Sequence, residues 1–265
     1  MSQVGFEYKN KKNETPFETF LRYTDEKEKS AAKLASILEE KMRGSMRILD
    51  IGTGNGEYLR LALSQLPTAT ENMELTLVEP SEDLASQLKG RFKDVVQGNK
   101  LTVAVSDLQG FKSDGTFDVV LMSHLFYHVS RATWADQLSR ALSLLKPGGI
   151  LVIVLREKDD AYDFKMAFKP QLFDNPSFKA LTLDDVLDVL PRDGSIRITK
   201  RLSESALQLP MKESREDTIS IIEFYLNKEW DEIPPELQQA AFGFIEEKGS
   251  RFKQLDGIAV VEKAA

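Results

Sequence analysis

The stretch Arg47-Ile48-Leu49-Asp50-Ile51-Gly52-Thr53-Gly54-Asn55-Gly56-Glu57 constrains this chain more than any other. A short apolar run reads as a buried strand, and three glycines at alternating positions break it. Helical spacing then begins at Glu57 and continues through Tyr58, Leu59, Leu61, Ala62 and Leu66. A strand, a glycine loop and a helix in this order open a doubly wound α/β sheet. Glycine serves the loop twice: it turns with positive φ without a Cβ clash, and it leaves bare backbone for a ligand to lie against. The spacing is G-x-G-x-G, not the G-x-G-x-x-G that seats a pyrophosphate on a helix N-terminus. Asp50, two residues before the first glycine, would repel a phosphate and suits a ligand carrying positive charge.

The rest of the chain repeats the alternation. Residues 73–80 read as a second strand ending in Glu79, which lies 23 residues past Gly56. In doubly wound folds a carboxylate here accepts hydrogen bonds from both ribose hydroxyls. Ser81 is placed to cap the next helix. Residues 101–107 form a third strand that again ends in an acid. Residues 117–122 form a fourth, and it runs into Ser123-His124-Leu125-Phe126-Tyr127-His128-Val129. An amphipathic stretch and the turn Lys146-Pro147-Gly148-Gly149 lead to a fifth strand over 150–155. Beyond it, residues 161–168 and 182–190 look helical, 195–202 alternates as a strand, 214–227 and 234–247 look helical, and 257–261 reads as the last strand. Before the glycine loop, residues 16–42 share one helical pattern, with Asp25 and Glu28 spaced as a capping box. The predicted fold is α/β: a doubly wound, Rossmann-like, seven-stranded and mostly parallel sheet, with an N-terminal helical cover and a helical insertion before the last strand. Its divisions are 1–45 (lid and substrate cover, with 1–15 polar), 46–202 (core), 203–254 (cap) and 255–265 (last core strand).

Composition removes several function classes. Net charge is −7, and no run rich in lysine and arginine stands out, so a protein that grips nucleic-acid backbone is not expected. The absence of cysteine excludes disulfides, thiolate catalysis and cysteine metal sites. Only His124 and His128 could supply imidazole, so no metal site is expected. No run reaches membrane-spanning length and the first residues are polar, so a cytoplasmic protein without a membrane partner is expected. Monomers, with at most weak dimerisation, are expected as well.

Asp50 with Gly52, Gly54 and Gly56, then Glu79, Asp107 and Lys146-Pro147-Gly148-Gly149, follow one another in order at strand ends. This constellation resembles class I S-adenosylmethionine-dependent methyltransferases. The resemblance implies S-adenosylmethionine as cofactor, S-adenosylhomocysteine as product, and a binding set of Asp50, Gly52, Thr53, Gly54, Gly56, Glu79, Pro80, Ser106, Asp107 and Ser123. Within that set, Ser106 and Asp107 would meet the adenine. A narrower resemblance, to histamine N-methyltransferase and its relatives, runs through three segments: Glu18-Thr19-Phe20-Leu21-Arg22-Tyr23-Thr24-Asp25-Glu26, Val78-Glu79-Pro80-Ser81, and Met122-Ser123-His124-Leu125-Phe126-Tyr127-His128-Val129. It implies that Glu26 holds the polar end of an acceptor. His124 stands where that family has a glutamine, Tyr127 and His128 where it has paired tyrosines, and Gln254 near an asparagine before the last strand. The resemblance implies a small amine or imidazole-like acceptor, and these departures set the chain apart from an enzyme for histamine itself. The expected site therefore has Glu26 and His124 as catalytic residues, with Phe17, Phe20, Tyr127, His128 and Gln254 around the acceptor. His124 would orient the acceptor or take its proton, since imidazole titrates near neutrality. An O-methyltransferase using the same cleft and a regulatory protein that binds the cofactor without turnover are the competing expectations.

Overall fold

A computed structural model describes residues 14–42, 44–66, 73–96, 100–113 and 115–263. Residues 1–13, most of the expected polar lid, lie outside the described residues. Seven strands form one sheet: β1 (Met46–Ile51), β2 (Met73–Glu79), β3 (Leu101–Val105), β4 (Phe117–Ser123), β5 (Leu145–Arg156), β6 (Ile196–Gln208) and β7 (Arg251–Lys263). Their order is β3-β2-β1-β4-β5-β7-β6. The first five strands pair in parallel, whereas β7 runs antiparallel to both β5 and β6.

Strand alternation builds two cores. Ile48, Leu75, Leu77, Val119, Leu121 and Val152 face one side, against α2 (Glu26–Lys41), α3 (Glu57–Ser64) and α4 (Glu82–Phe92). Leu49, Val78, Val120, Met122, Leu151 and Ile153 face the other, against α5 (Trp134–Ser143) and the short α7 (Leu183–Leu187). Central strands covered on both faces read as continuous apolar runs, which is why these strands stood out in the sequence. A third cluster lies off the sheet: α1 (Pro16–Tyr23), α6 (Asp160–Leu172), α8 (Arg215–Leu226) and α9 (Pro235–Glu247) meet the ends of β6 and β7 around Phe20, Phe164, Phe168, Ile222, Tyr225 and Phe252. The Phe164 ring lies 4.8 Å from that of Phe168 and 5.5 Å from that of Phe244, so an aromatic core holds the inserted helices together. Among the described residues, no helix is long and apolar enough to cross a membrane.

Four local expectations change. The pattern over 16–42 is two helices, because Thr24 leaves the helix and bridges Leu207 of β6. Asp25 makes no side-chain cap; its Oδ1 accepts the Ala206 amide at 2.8 Å, and its amide donates to the Ala206 carbonyl. The capping box sits a helix earlier, between Thr15 and Glu18. The helical pattern over 182–190 shortens to α7, which starts on a second capping box between Thr182 and Asp185. Finally, β6 and β7 pair without a break from Ile196↔Lys263 to Gln208↔Arg251, so both strands continue through the expected division points at 202/203 and 254/255. Polar and charged residues occupy much of that ladder, and they hid its length.

Candidate active site

In the strand order, β1 lies between β2 and β4. The chain's connections reverse there, and this is where ligands settle in open α/β sheets, outside the carboxyl ends of the strands. The glycine loop follows β1, and His124 follows β4, so both reach that crevice.

In the loop, Gly52, Gly54 and Gly56 have φ of +68°, +59° and +75°. The turn is fixed from below: the amides of Gly52 and Thr53 donate to the Val78 carbonyl at 2.8 and 3.1 Å, and Thr53 Oγ1 donates to the Asp50 carbonyl at 2.9 Å. A Cβ on Gly56 would lie 2.5 Å from the Phe92 ring, so helix packing demands glycine there. A Cβ on Gly54 would meet nothing within 4 Å. The space beside Gly54 is open, as a ligand cradle requires. Glu79 links the two sides of the crevice: its carboxylate accepts the Gly54 amide at 2.8 Å and the Ser81 amide at 3.0 Å. A carboxylate oxygen can accept two hydrogen bonds and each of these accepts one from the amides, so lone pairs remain for a ligand hydroxyl. Ser81 also caps α4, with its Oγ accepting the Leu84 amide.

Asp50 is 4% exposed. Burial pushes its carboxyl up to about 7; a hydrogen bond from Thr53 opposes the rise, and the charge of Glu79 adds to it. A positive charge brought alongside would restore its ionised form. Further along the rim, Ser106 is half-buried and Asp107 exposed, with Asp107 Oδ1 accepting the Gly110 amide at 2.7 Å. Val105, just before them, is 54% exposed and offers an apolar surface at the same edge. Pro80 is exposed and Ser123 half-buried at the tips of β2 and β4. A glycine turn open to solvent at Gly54, the buried acid Asp50, the carboxylate of Glu79 and an apolar rim suit a nucleoside that bears a positive charge.

The second half of the site begins at His124. Its backbone is left-handed at φ 51°, a region that histidine, like asparagine and aspartate, enters more readily than most residues, and its amide donates to the Val154 carbonyl at 2.8 Å. Its Nε2 lies 3.9 Å from Glu26 Oε1 and 3.8 Å from Asp256 Oδ2. The Tyr127 ring stacks on it at 6.1 Å, and the Tyr58 ring meets it edge-on at 6.4 Å. Glu26 opens α2, where an acid suits the helix dipole, and its second oxygen is bound by Arg156. Arg156 also reaches Asp159 at 3.2 Å. Asp256 is 1% exposed. Burial and the neighbouring charge of Glu26 push it up to about 6, against the opposing influence of His124, Arg156 and the Ser30 hydroxyl. A buried carboxylate this weakly satisfied is costly, and a cationic group beside it would be stabilised. The ligand atoms of Glu26, His124 and Asp256 all lie within 4.8 Å of one another. Such a trio can receive a divalent cation or an ammonium. The adjacent guanidinium of Arg156 favours the single charge.

The structure thus brings Glu26 and His124 together, with Tyr127 against them. It distributes the other expected acceptor residues differently. Gln254 is fully buried, with its Oε1 accepting from Thr24 and its Nε2 donating to Tyr225 at 3.0 Å, so its hydrogen bonds hold α1, α8 and β7 in place. Phe20 is 3% exposed, inside the aromatic cluster, while Phe17 beside it is 48% exposed. His128 is exposed and, with Tyr127, Arg131 and Trp134, lines a neighbouring cavity of about 490 Å³. Asp256, Arg156 and Tyr58 are functional candidates that the sequence reading missed. The signal was the acid of Leu255-Asp256-Gly257. It was passed over because β7 runs antiparallel, so its early residues, not its last, share an edge with the carboxyl ends of the other strands; Asp256 pairs with Arg156.

Residues 49–151 match a family model described as a methyltransferase domain. The solved structures that resemble the chain include a candidate methyltransferase from Bacillus halodurans C-125 (15% identity, 89% of this chain and 99% of that one, TM-score 0.57). They also include the YcgJ protein of Bacillus subtilis (12% identity, 89% and 99%, TM-score 0.57) and YjhP of E. coli (18% identity, 91% and 93%, TM-score 0.52). At such identities the likeness concerns the fold. No curated protein sequence matches the chain. The fold is thus Rossmann-like, and the segment from β1 into β5 is similar to a methyltransferase domain. The loop, Asp50 and Glu79 are the residues placed to hold a nucleoside cofactor.

Proposed function

We propose that this protein transfers a methyl group from S-adenosylmethionine to the nitrogen of a small-molecule amine or imidazole-type acceptor. The observation that carries the reading is the buried carboxylate of Asp256, 3.8 Å from His124 Nε2 and beside Glu26. Two carboxylates around one imidazole attract an ammonium and repel an oxyanion, which favours nitrogen over a phenolate or carboxylate oxygen.

The cofactor, when bound, supplies an electrophilic sulfonium methyl. The chain must then align the acceptor, exclude water and free its lone pair. Holding two reactants in line lowers a barrier by several kcal/mol, up to about 7–11 in ideal cases. Glu26 and Asp256 hold the ammonium, and Tyr58 and Tyr127 form an aromatic wall that favours a cation. His124 Nε2 accepts the proton that the amine loses, and the two carboxylates stabilise the imidazolium. The freed lone pair would then face the methyl group that the bound cofactor supplies, with its sulfur as the leaving group.

The test is transfer of labelled methyl from S-adenosylmethionine to a panel of small amines and imidazoles, with phenols and carboxylic acids as controls. Label should accumulate in nitrogen acceptors. Label in the oxygen acceptors alone would overturn the assignment.

A further inference from the structure

We propose that the cavity beside Tyr127 is a second ligand site, for a small molecule that carries an oxyanion, carboxylate or phosphate, on an apolar body. The site stands apart from the acceptor reading and does not depend on methyl transfer.

The cavity, about 490 Å³, lies between residues 127–134 and the segment that enters α7. Small-molecule sites span roughly 300–1,000 Å³, so it is large enough for one. Two kinds of side chain line it. Tyr127, Trp134 and Leu181 supply apolar surface, while Arg131 and Lys179 bring positive charge, one from each segment.

Trp134 is the fixed part. It is buried, its ring meets that of Phe126 edge-on at 5.6 Å, and its indole N–H donates to the Val129 carbonyl at 3.1 Å. The Arg131 guanidinium lies 5.3 Å from the centre of the Trp134 ring. Among the described residues, no carboxylate pairs with Arg131. An aromatic face steadies the planar fork and leaves its N–H donors unused, which prepares it for a bidentate oxyanion.

The acid in the cavity is already engaged. Asp185 Oδ1 lies 2.5 Å from Lys179 Nζ, and Asp185 Oδ2 accepts the amide and the hydroxyl of Thr182 at 3.0 and 2.9 Å. Those last two bonds close the capping box of α7, so Asp185 serves the fold. Lys179 is exposed and keeps two further ammonium donors. One engaged acid against two cations leaves the cavity positive in a chain whose net charge is −7. Tyr127 lines this cavity and also stacks on His124 at 6.1 Å, so the two sites adjoin. Around Glu26 and Asp256 the chain favours a cation; around Arg131 and Lys179 it favours an anion.

Calorimetric titration of phenyl phosphate and of benzoate into the full chain tests the site, with benzamide as the uncharged control. At least one anion should bind saturably at a single site and about tenfold or more tighter than benzamide; the tighter of the two names the oxyanion. Arg131→Met changes an exposed residue and should weaken that binding about tenfold or more, and Lys179→Met about threefold or more. Saturation with S-adenosylhomocysteine should leave the affinity as it was. No saturable binding by the wild type, equal binding of benzamide, unchanged affinity in Arg131→Met, or displacement by S-adenosylhomocysteine overturns the proposal. Should Arg131→Met fail to fold, Lys179→Met decides, and unchanged affinity there overturns it too.

Discussion

His124 Nε2 and Asp256 Oδ2 face each other at 3.8 Å across the crevice, one from the turn after β4 and the other from an antiparallel strand more than a hundred residues away in sequence. The carboxylate is buried, and the imidazole side chain is 32% exposed. A proton taken by the imidazole would be stabilised by that carboxylate.

Asp256→Asn should lower turnover of amine acceptors by about 10²–10⁴, the usual span for an acid–base group, and leave S-adenosylmethionine affinity unchanged. The fold should respond oppositely. Asp256 is raised from its ordinary range to about 6, so its ionisation costs the folded state. Stability that it contributes at low pH is lost as pH rises from about 4 through 6. The melting temperature of Asp256→Asn relative to wild type should therefore improve between pH 4 and pH 8. A constant difference would contradict the buried-charge account.

Asp50, pushed up to about 7, links cofactor binding to pH. A sulfonium beside it favours the ionised carboxylate, so affinity for S-adenosylmethionine should weaken as pH falls below 7, by up to about tenfold per unit, and level off above 8. S-adenosylhomocysteine lacks the sulfonium charge and should show a shallower profile. Parallel profiles measured by calorimetry would place the charge elsewhere.

Gly54 and Gly56 separate binding from folding. Gly54→Ala enters open space and meets only left-handed strain of about 1–2 kcal/mol, so it should fold while losing cofactor affinity at least tenfold. Gly56→Ala drives a Cβ into Phe92 and should cost more stability than Gly54→Ala. Thermal melts paired with calorimetry would show the contrast or its absence.

Gln254→Leu should lower the melting temperature, because it strips partners from Thr24 and Tyr225; lost buried bonds cost about 1–3 kcal/mol each. A variant with unchanged stability and a raised acceptor KM would instead return Gln254 to the substrate.

The positions of Asp50, Gly54 and Glu79 around one crevice were legible because they follow strand ends in order, and parallel strands with covered faces announce themselves as apolar runs. The structure also brings Glu26 and His124, which the sequence reading pairs, to within 3.9 Å of each other. What was not legible depends on pairing across distance. The break at Thr24 is made by β6, which the sequence does not place beside α1. Phe20 and Gln254 look like pocket residues by position, but the inserted helices fold over them and take them into a core of their own. Asp256 needed the direction of β7, which alternation alone leaves undetermined.

The most direct test of the account is calorimetric titration of S-adenosylmethionine into the folded full chain at pH 8. Saturable one-site binding, weakened at least tenfold in Gly54→Ala, is the predicted result. No heat of binding at millimolar cofactor, with either S-adenosylmethionine or S-adenosylhomocysteine, would contradict it.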